Sequence, residues 1–177
     1  METLRQPFRQ TDKYQRGHSG EQMVAKLLQD RGWFVIPSYD YSGEDNDKAP
    51  RLQGNLRAYV IPDLDIARGG RRIWAEVKTK ACATYTRITQ RFEHGIPMRH
   101  FRDYRAVQDI TGCSVWLFVY EENTGEVLCG ELDNLAAHKR EYTGGKMSYG
   151  GMVFFPRDAF TLLAKLEIKS GATEVGL

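Results

Sequence analysis

The sequence predicts a mixed α/β domain around one sheet, on three observations. Helical and strand periodicities alternate along the chain instead of separating into blocks. Gly69-Gly70 joins two apolar runs that read as the strands of a hairpin. The run CSVWLFVY, residues 113–120, is a strongly apolar strand bounded by a glycine and by the turn EENTGE. A chain of 177 residues buries one sizeable core, so a single domain over 1–177 is expected.

In HSGEQMVAKLLQDRGWFVIPS, Ser19 reads as the cap of a helix whose apolar face is Met23, Val24, Leu27 and Leu28, with Gly32 as its stop. WFVIP then reads as a short buried strand. Residues 38–57 are polar, contain Pro50, Gly43 and Gly54, and read as a long loop; Tyr39, Tyr41, Asp40, Glu44, Asp45 and Asp47 make it a candidate lid. The hairpin strands follow at 58–67 and 71–78. Beyond Lys80 the pattern weakens until 102–110, which takes up helical spacing and stops near Gly112. The strand at 113–120 returns through EENTGE into VLCGEL, and DNLAAHKRE reads as a short helix. Glycine-rich YTGGKMSYGG precedes a strand MVFFP, a final helix RDAFTLLAKLE and a frayed tail SGATEVGL.

Composition excludes several classes of function. With 41% hydrophobic and 27% charged residues and a mean hydropathy of -0.52, the chain reads as an ordinary globular protein. Its apolar runs are too short to cross a bilayer, and METLRQPFRQTDKYQRG lacks an apolar signal core, so a cytoplasmic location without a membrane partner is expected. Cys82, Cys113 and Cys129 have no CxxC spacing and read as reduced packing residues. No GxSxG elbow and no GxxxxGK[ST] loop is present, which argues against serine nucleophilic catalysis and P-loop nucleotide hydrolysis. The net charge is only +2, but between Val77 and Arg105 seven basic residues stand against Glu93 and Asp103. That span is locally basic.

The stretch IPDLDIARGGRRIWAEVKTK holds three carboxylates and a lysine within strand-like runs. Folding it about Gly69-Gly70 sets Asp63 opposite Glu76 and Ile61 opposite Lys78. Strand alternation then puts Asp63, Asp65, Glu76 and Lys78 on one face, with Leu64, Ile66, Ile73 and Val77 on the other. Gathered carboxylates repel and raise one another's pKa unless a positive group sits among them. Hard divalent ions take oxygen ligands, and Asp63 and Glu76 match what magnesium needs, with Asp65 a candidate second acid. Lys78, on the same face, is placed to hold an attacking water or to offset charge developing on phosphate. The competing reading is a surface ion-pair lattice, at ~0 to 1 kcal/mol per pair. The order Pro-Asp, hairpin, Glu-x-Lys favours the metal site.

In that order the residues resemble the PD-(D/E)XK nuclease superfamily, which includes restriction endonucleases, Holliday-junction resolvases and recombination or repair nucleases. Pro62-Asp63 matches PD and Glu76-Val77-Lys78 matches ExK, at a separation similar to that of archaeal-resolvase-like members. The resemblance covers residues 16–120. It implies a restriction-endonuclease-like αβββαβ core with a mixed central sheet flanked by helices, leaving 121–168 as a small C-terminal α+β extension and 169–177 as a tail. It implies a magnesium-dependent deoxyribonuclease of endonuclease type, with manganese substituting, catalysed by Asp63, Glu76, Lys78, Glu21 and Gln108, the metal being held by Asp63, Glu76, Glu21 and Asp65. Glu21 holds the place of the family's helix acid, though an acid there also opposes the helix dipole. Gln108 holds that of the polar residue on the next helix, with Tyr104 one turn earlier.

DNA is the implied partner. Lys80, Tyr85, Arg87, Arg91, Arg99 and Tyr104, basic and aromatic residues interleaved just after the ExK strand, are the candidate nucleic-acid contacts. Because such enzymes cut two strands, a homodimer is left open, as is a separate motor or recombination partner. The alternative is a catalytically silent nucleic-acid-binding module of the same fold. His18, His94 and His100 have no ligand spacing and read as core or surface residues.

Overall fold

The first helix, α1 (Asp12–Asp30), starts well before Ser19, with Asp12 in its first turn opposing the helix dipole. This computed structural model describes residues 12–37, 50–144 and 150–167; the candidate lid residues, the middle of YTGGKMSYGG and the tail lie outside them. Ser19 is interior to α1 and caps nothing. Gly32, at φ 80, stops the helix as expected. Strand β1 (Phe34–Pro37) follows as a sheet edge with Phe34 and Ile36 exposed, so it is not the buried strand that its apolar sequence suggests.

The expected strand at 58–67 is divided. Strand β2 (Arg51–Gln53), inside the supposed loop, pairs with β3 (Ala58–Val60), and pairing in the main sheet restarts only at β4 (Leu64–Arg68). Pro62 lies in the gap, where its missing N–H leaves no ladder bond unmade. β4 pairs with β5 (Arg71–Lys80) in the register read from the sequence, with Leu64 opposite Ala75 and Ile66 opposite Ile73. The turn holds Gly69 at φ 56 and Gly70 at φ 78, a conformation that glycine adopts without steric cost.

The segment after Lys80 is more ordered than its pattern suggests. Strands β6 (Thr84–Thr86) and β7 (Arg91–Pro97) form a hairpin that runs directly into α2 (Met98–Thr111), ended by Gly112 at φ 66. Strand β8 (Val115–Glu121) turns back into β9 (Glu126–Glu131), followed by the short α3 (Leu132–Ala136), β10 (Arg140–Tyr142) and β11 (Met152–Pro156). The expected last helix does not form. After one 3-10 turn at Arg157–Ala159, the chain extends as β12 (Thr161–Lys165) along β9. The unpaired N–H and C=O groups of an open sheet edge offer this short segment more than an isolated helix does.

The main sheet has the order β1-β4-β5-β8-β9-β12, in which only β5 and β8 run parallel, and a second sheet has the order β10-β11-β7-β6. The expected C-terminal extension is thus woven into both. On one face of the main sheet, Val24 and Leu28 of α1 pack against Ile66, Ile73, Ala75 and Val77. On the other, Met98, Tyr104 and Val107 of α2, with Val153 and Phe155 of the second sheet, pack against Trp74, Leu117 and Val119.

Gly20 lets α1 approach the sheet. A Cβ there would lie 1.8 Å from Thr79 Oγ1 and 3.1 Å from its Cβ. Gly20→Ala is therefore expected to destabilise the protein by about 1–3 kcal/mol in denaturant titrations despite alanine's better helix propensity. The loss should shrink in a Thr79→Ala background.

Candidate functional site

β4 stops one residue short of Asp63, and the backbone of Val77 would there lack a ladder partner. The Asp63 side chain supplies one: its Oδ2 accepts the Val77 N–H at 2.8 Å. This fixes the carboxylate beside Glu76 and Lys78, which alternation places together on β5. Glu76 is 1% exposed, and its Oε1 forms an ion pair with the Lys78 ammonium. Its Oε2 is buried and makes no well-directed hydrogen bond among the described residues, although the Tyr104 hydroxyl lies within hydrogen-bonding reach of the carboxylate. Glu21, on α1, comes within electrostatic reach of Lys78, Glu76 and Asp63, and His18 Nδ1 lies 3.6 Å from its carboxylate.

Burial is the largest influence on each acid and raises the pKa of both Asp63 and Glu21; Glu76 adds to the rise in each, and Lys78 opposes it. Burial alone would lower the Lys78 pKa, but Glu76, Asp63 and Glu21 outweigh it and hold the ammonium firmly protonated. Three carboxyl groups thus share one lysine, and Asp63 and Glu21 resist ionising there in the absence of a further cation. Every donor in the cluster is a carboxylate oxygen, the kind hard divalent cations take. No three His, Cys, Asp or Glu side chains among the described residues already converge on a metal-binding geometry, and Lys78 occupies one Glu76 oxygen instead.

The electrostatics set an expected pH dependence. Asp63 and Glu21 bind protons more tightly folded than at their ordinary values of 3.8 and 4.5, so acidification stabilises the fold through them. Glu93 and Glu121 act oppositely: burial would raise their pKa, but hydrogen bonds from Arg140 and Arg157 outweigh it, and their contribution is lost below 4.5. His94 and His100, whose pKa burial lowers, oppose this gain below their ordinary value of 6.5, so the contribution of Asp63 is read as a difference. In thermal melts in chelator, the transition temperature of the wild type should gain on that of Asp63→Asn as pH falls from neutral toward about 4.5.

Other residues marked by sequence lie elsewhere. Asp65 is taken by Arg72, whose Nε and Nη2 donate to it at 2.9 and 2.6 Å, and Asp65 is not among the groups that shift Asp63. Gln108 faces the other end of β8: its Oε1 accepts the Val115 N–H at 3.0 Å and its Nε2 donates to Asp133 at 2.8 Å. The α2 residue that meets Glu76 is Tyr104, one turn earlier. Tyr104 is 1% exposed, so its ring offers no face to a base; its hydroxyl lies 3.3 Å from His100 Nδ1, and burial and Glu76 raise its pKa. His100, read as an ordinary core or surface residue, feels Glu76 and Lys78 directly, and burial lowers its pKa. The four-residue spacing of His100 and Tyr104, which puts both on one helix face, was the available signal.

Lys80 lies on the Lys78 face of β5; burial lowers the His94 pKa, and Lys80 is close enough to add to that lowering. Arg87, Arg91 and Arg99 are exposed with no ion pair among the described residues, and Tyr85 is exposed on β6. Of the acids in this basic span, Glu93 is buried against Arg140 and Asp103 is bridged by Arg57. The outward-facing charge is therefore positive.

A mixed sheet with α1 on one face and α2 on the other is the layout of resolvase and restriction-endonuclease-like nuclease folds. The structure is similar to that of Hjc from Archaeoglobus fulgidus, a Holliday junction resolvase from an archaeal hyperthermophile, with a TM-score of 0.51 and 9% identity over 81% of this chain and 91% of that one. A weaker similarity, with a TM-score of 0.49 and 12% identity over 91% of each chain, links it to a nuclease from a fusselovirus. No protein-family model and no curated protein matches the sequence. Among the described residues no helix is long and apolar enough to cross a membrane.

Proposed function

We propose that this chain is a metal-dependent nuclease that hydrolyses DNA phosphodiester bonds at Asp63, Glu76 and Lys78. The observation that carries the reading is Glu76: a buried carboxylate with one oxygen on Lys78, the other without a well-directed hydrogen bond among the described residues, and Asp63 anchored beside it. Structure formation does not require a buried carboxylate oxygen so poorly satisfied, which costs on the order of 1–3 kcal/mol. A cation-binding role explains its place. Glu21, Asp63 and Glu76 would hold magnesium, with manganese as a substitute, and the fit rests on their oxygen-only donors and on the cation that crowded, buried carboxyl groups need in order to ionise. Bound there, such an ion would supply an acidified water and offset charge on the phosphate.

The chain's own groups do the rest. Lys78, kept protonated by three carboxylates, is placed to orient that water or to meet the charge gained by the phosphate oxygens. Tyr104 and His100, on one face of α2, lie close to Glu76 and form the polar wall behind it. Arg87, Arg91, Arg99 and Lys80 would contact the DNA backbone along the path that leads to the site. DNA as substrate is carried over from the archaeal resolvase, and an endonuclease that cuts both strands would act as a homodimer.

The test is supercoiled plasmid, single strands and branched DNA incubated with magnesium, manganese or EDTA. Nicking or cutting with either metal and none in EDTA is expected. The Lys78–Glu76 ion pair, which fills one metal-facing oxygen, favours a second reading, a silent DNA-binding module. Salt-sensitive DNA binding without cleavage in any metal would establish that reading instead.

A further inference from the structure

The β6–β7 hairpin carries side chains that the site does not use. It pairs Tyr85 with Phe92 and Thr86 with Arg91, and the turn between is Arg87-Ile88-Thr89-Gln90, with Gln90 at φ 53. Ile88, at the tip, is 86% exposed; Tyr85 and Phe92, packed edge to face at 5.3 Å, are 52% and 55% exposed. Alternation puts Phe92 on the same face of β7 as His94 and Ile96, which are buried. The core-facing side of β7 thus runs outward past the core, and no described residue covers its aromatic pair.

The tip is held stiffly. Glu93, buried at the hairpin's base, accepts hydrogen bonds from Thr86 Oγ1 at 2.8 Å and Thr89 Oγ1 at 2.9 Å, and Arg140 Nη2 donates to it at 2.7 Å. The Ala83 N–H donates to Glu121 at 3.1 Å, and Arg157 and His94 grip the same carboxylate. From Thr84 to Phe92 the chain has two arginines and no acid. The hairpin leaves β5 soon after Lys80 and returns into α2 at Arg99 and His100, so a ligand lying along it continues to the carboxylate cluster.

A rigid apolar tip flanked by arginines without an ion pair among the described residues is complementary to a ligand with an apolar stacked interior between two lines of negative charge. Duplex DNA is that ligand. Exposed isoleucine, leucine and phenylalanine side chains can enter a base step, unstack it and kink the duplex. A tip already ordered loses little entropy in doing so.

We propose that the β6–β7 hairpin is a wedge that inserts Ile88 into a base step of bound DNA, Arg87 and Arg91 holding the flanking phosphates and Tyr85 and Phe92 meeting the opened bases. The protein then selects DNA that unstacks easily, such as flexible pyrimidine–purine steps and mismatches. This rests on the nuclease reading only in taking DNA as the ligand.

The experiment uses the full chain in EDTA, where no cleavage is expected, with duplexes carrying 2-aminopurine, matched or with one mismatch. Binding should raise the 2-aminopurine fluorescence severalfold, and the mismatched duplex should bind about tenfold tighter because part of the unstacking is already done. Ile88→Ser should abolish both effects while leaving the slope of log affinity against log salt unchanged, and Ile88→Leu should retain them. Arg87→Ala with Arg91→Ala should instead lower that slope by ~1 to 2. The exposed position of Ile88 leaves folding intact in these variants. Equal fluorescence and equal mismatch preference in the wild type and Ile88→Ser overturn the wedge while leaving DNA binding, and the nuclease reading, in place. A change of oligomeric state in Ile88→Ser with neither DNA effect overturns it in favour of a contact between copies of this chain. Absence of binding to any duplex overturns the wedge, and the nuclease reading is then decided by cleavage of plasmid, single strands and branched DNA in metal.

Discussion

Glu76→Ala is expected to reduce DNA cleavage by roughly 10³-fold or more, since it removes the most deeply buried carboxylate of the cluster and with it the charge that would hold a metal and order the attacking water. DNA binding measured in EDTA should be unchanged or tighter, because one negative charge facing the phosphate is gone. Without Glu76, Lys78 still has Asp63 and Glu21 within electrostatic reach, so its ammonium is not stranded and the fold should survive. Asp63→Ala should show the same split between cleavage and binding, with an added stability loss of about 1 kcal/mol because the Val77 N–H loses its acceptor. Glu76→Ala cleaving at the wild-type rate would remove the proposed site, whatever the fold.

Lys78→Ala is expected to divide its effects differently. Turnover should fall roughly 10²- to 10³-fold while the dissociation constant for DNA moves little, because a charge aimed at the transition state contributes little to ground-state binding. A loss of affinity with unchanged turnover would recast Lys78 as a phosphate contact. Metal-free stability should fall by up to about 3 kcal/mol, since Glu76, 1% exposed, is left as a buried acid beside Asp63 without its cation. The sign follows from the raised pKa of Lys78: its contribution is complete below the ordinary lysine value of 10.5 and fades only as pH rises through the higher folded value. The deficit is therefore present in full at neutral pH, and adding magnesium should recover part of it if a cation takes over the neutralising role.

Local patterns in the sequence carried the hairpin. Two glycines set the turn, apolar alternation set the register, and these put Glu76 and Lys78 on one face, with Asp63 just beyond the paired strand held beside them by the Val77 N–H. The same reasoning misread Thr161–Lys165 as helix, because a short segment beside an open strand edge takes its conformation from that edge and not from its own propensity. It read β1 as buried for a related reason: apolar content reports what a strand can bury, whereas position in the sheet determines what is covered.

At the site the division is sharper. The sequence by itself determined which residues share a strand face, since alternation is a property of the backbone over a few residues. Only the tertiary structure decided which of those groups meet. Arg72, whose side chain shares that face, takes Asp65 out of the cluster. Tyr104 rather than Gln108 is the α2 residue beside Glu76, because the crossing of α2 over the sheet, fixed by the packing of Met98, Tyr104 and Val107, selects the helical turn that faces β5. The charge states follow from the same assembly: whether Asp63 holds its proton and Lys78 keeps its charge depends on burial and on neighbours brought from α1 and β5, and Coulomb energies fall off with distance in space, not along the chain.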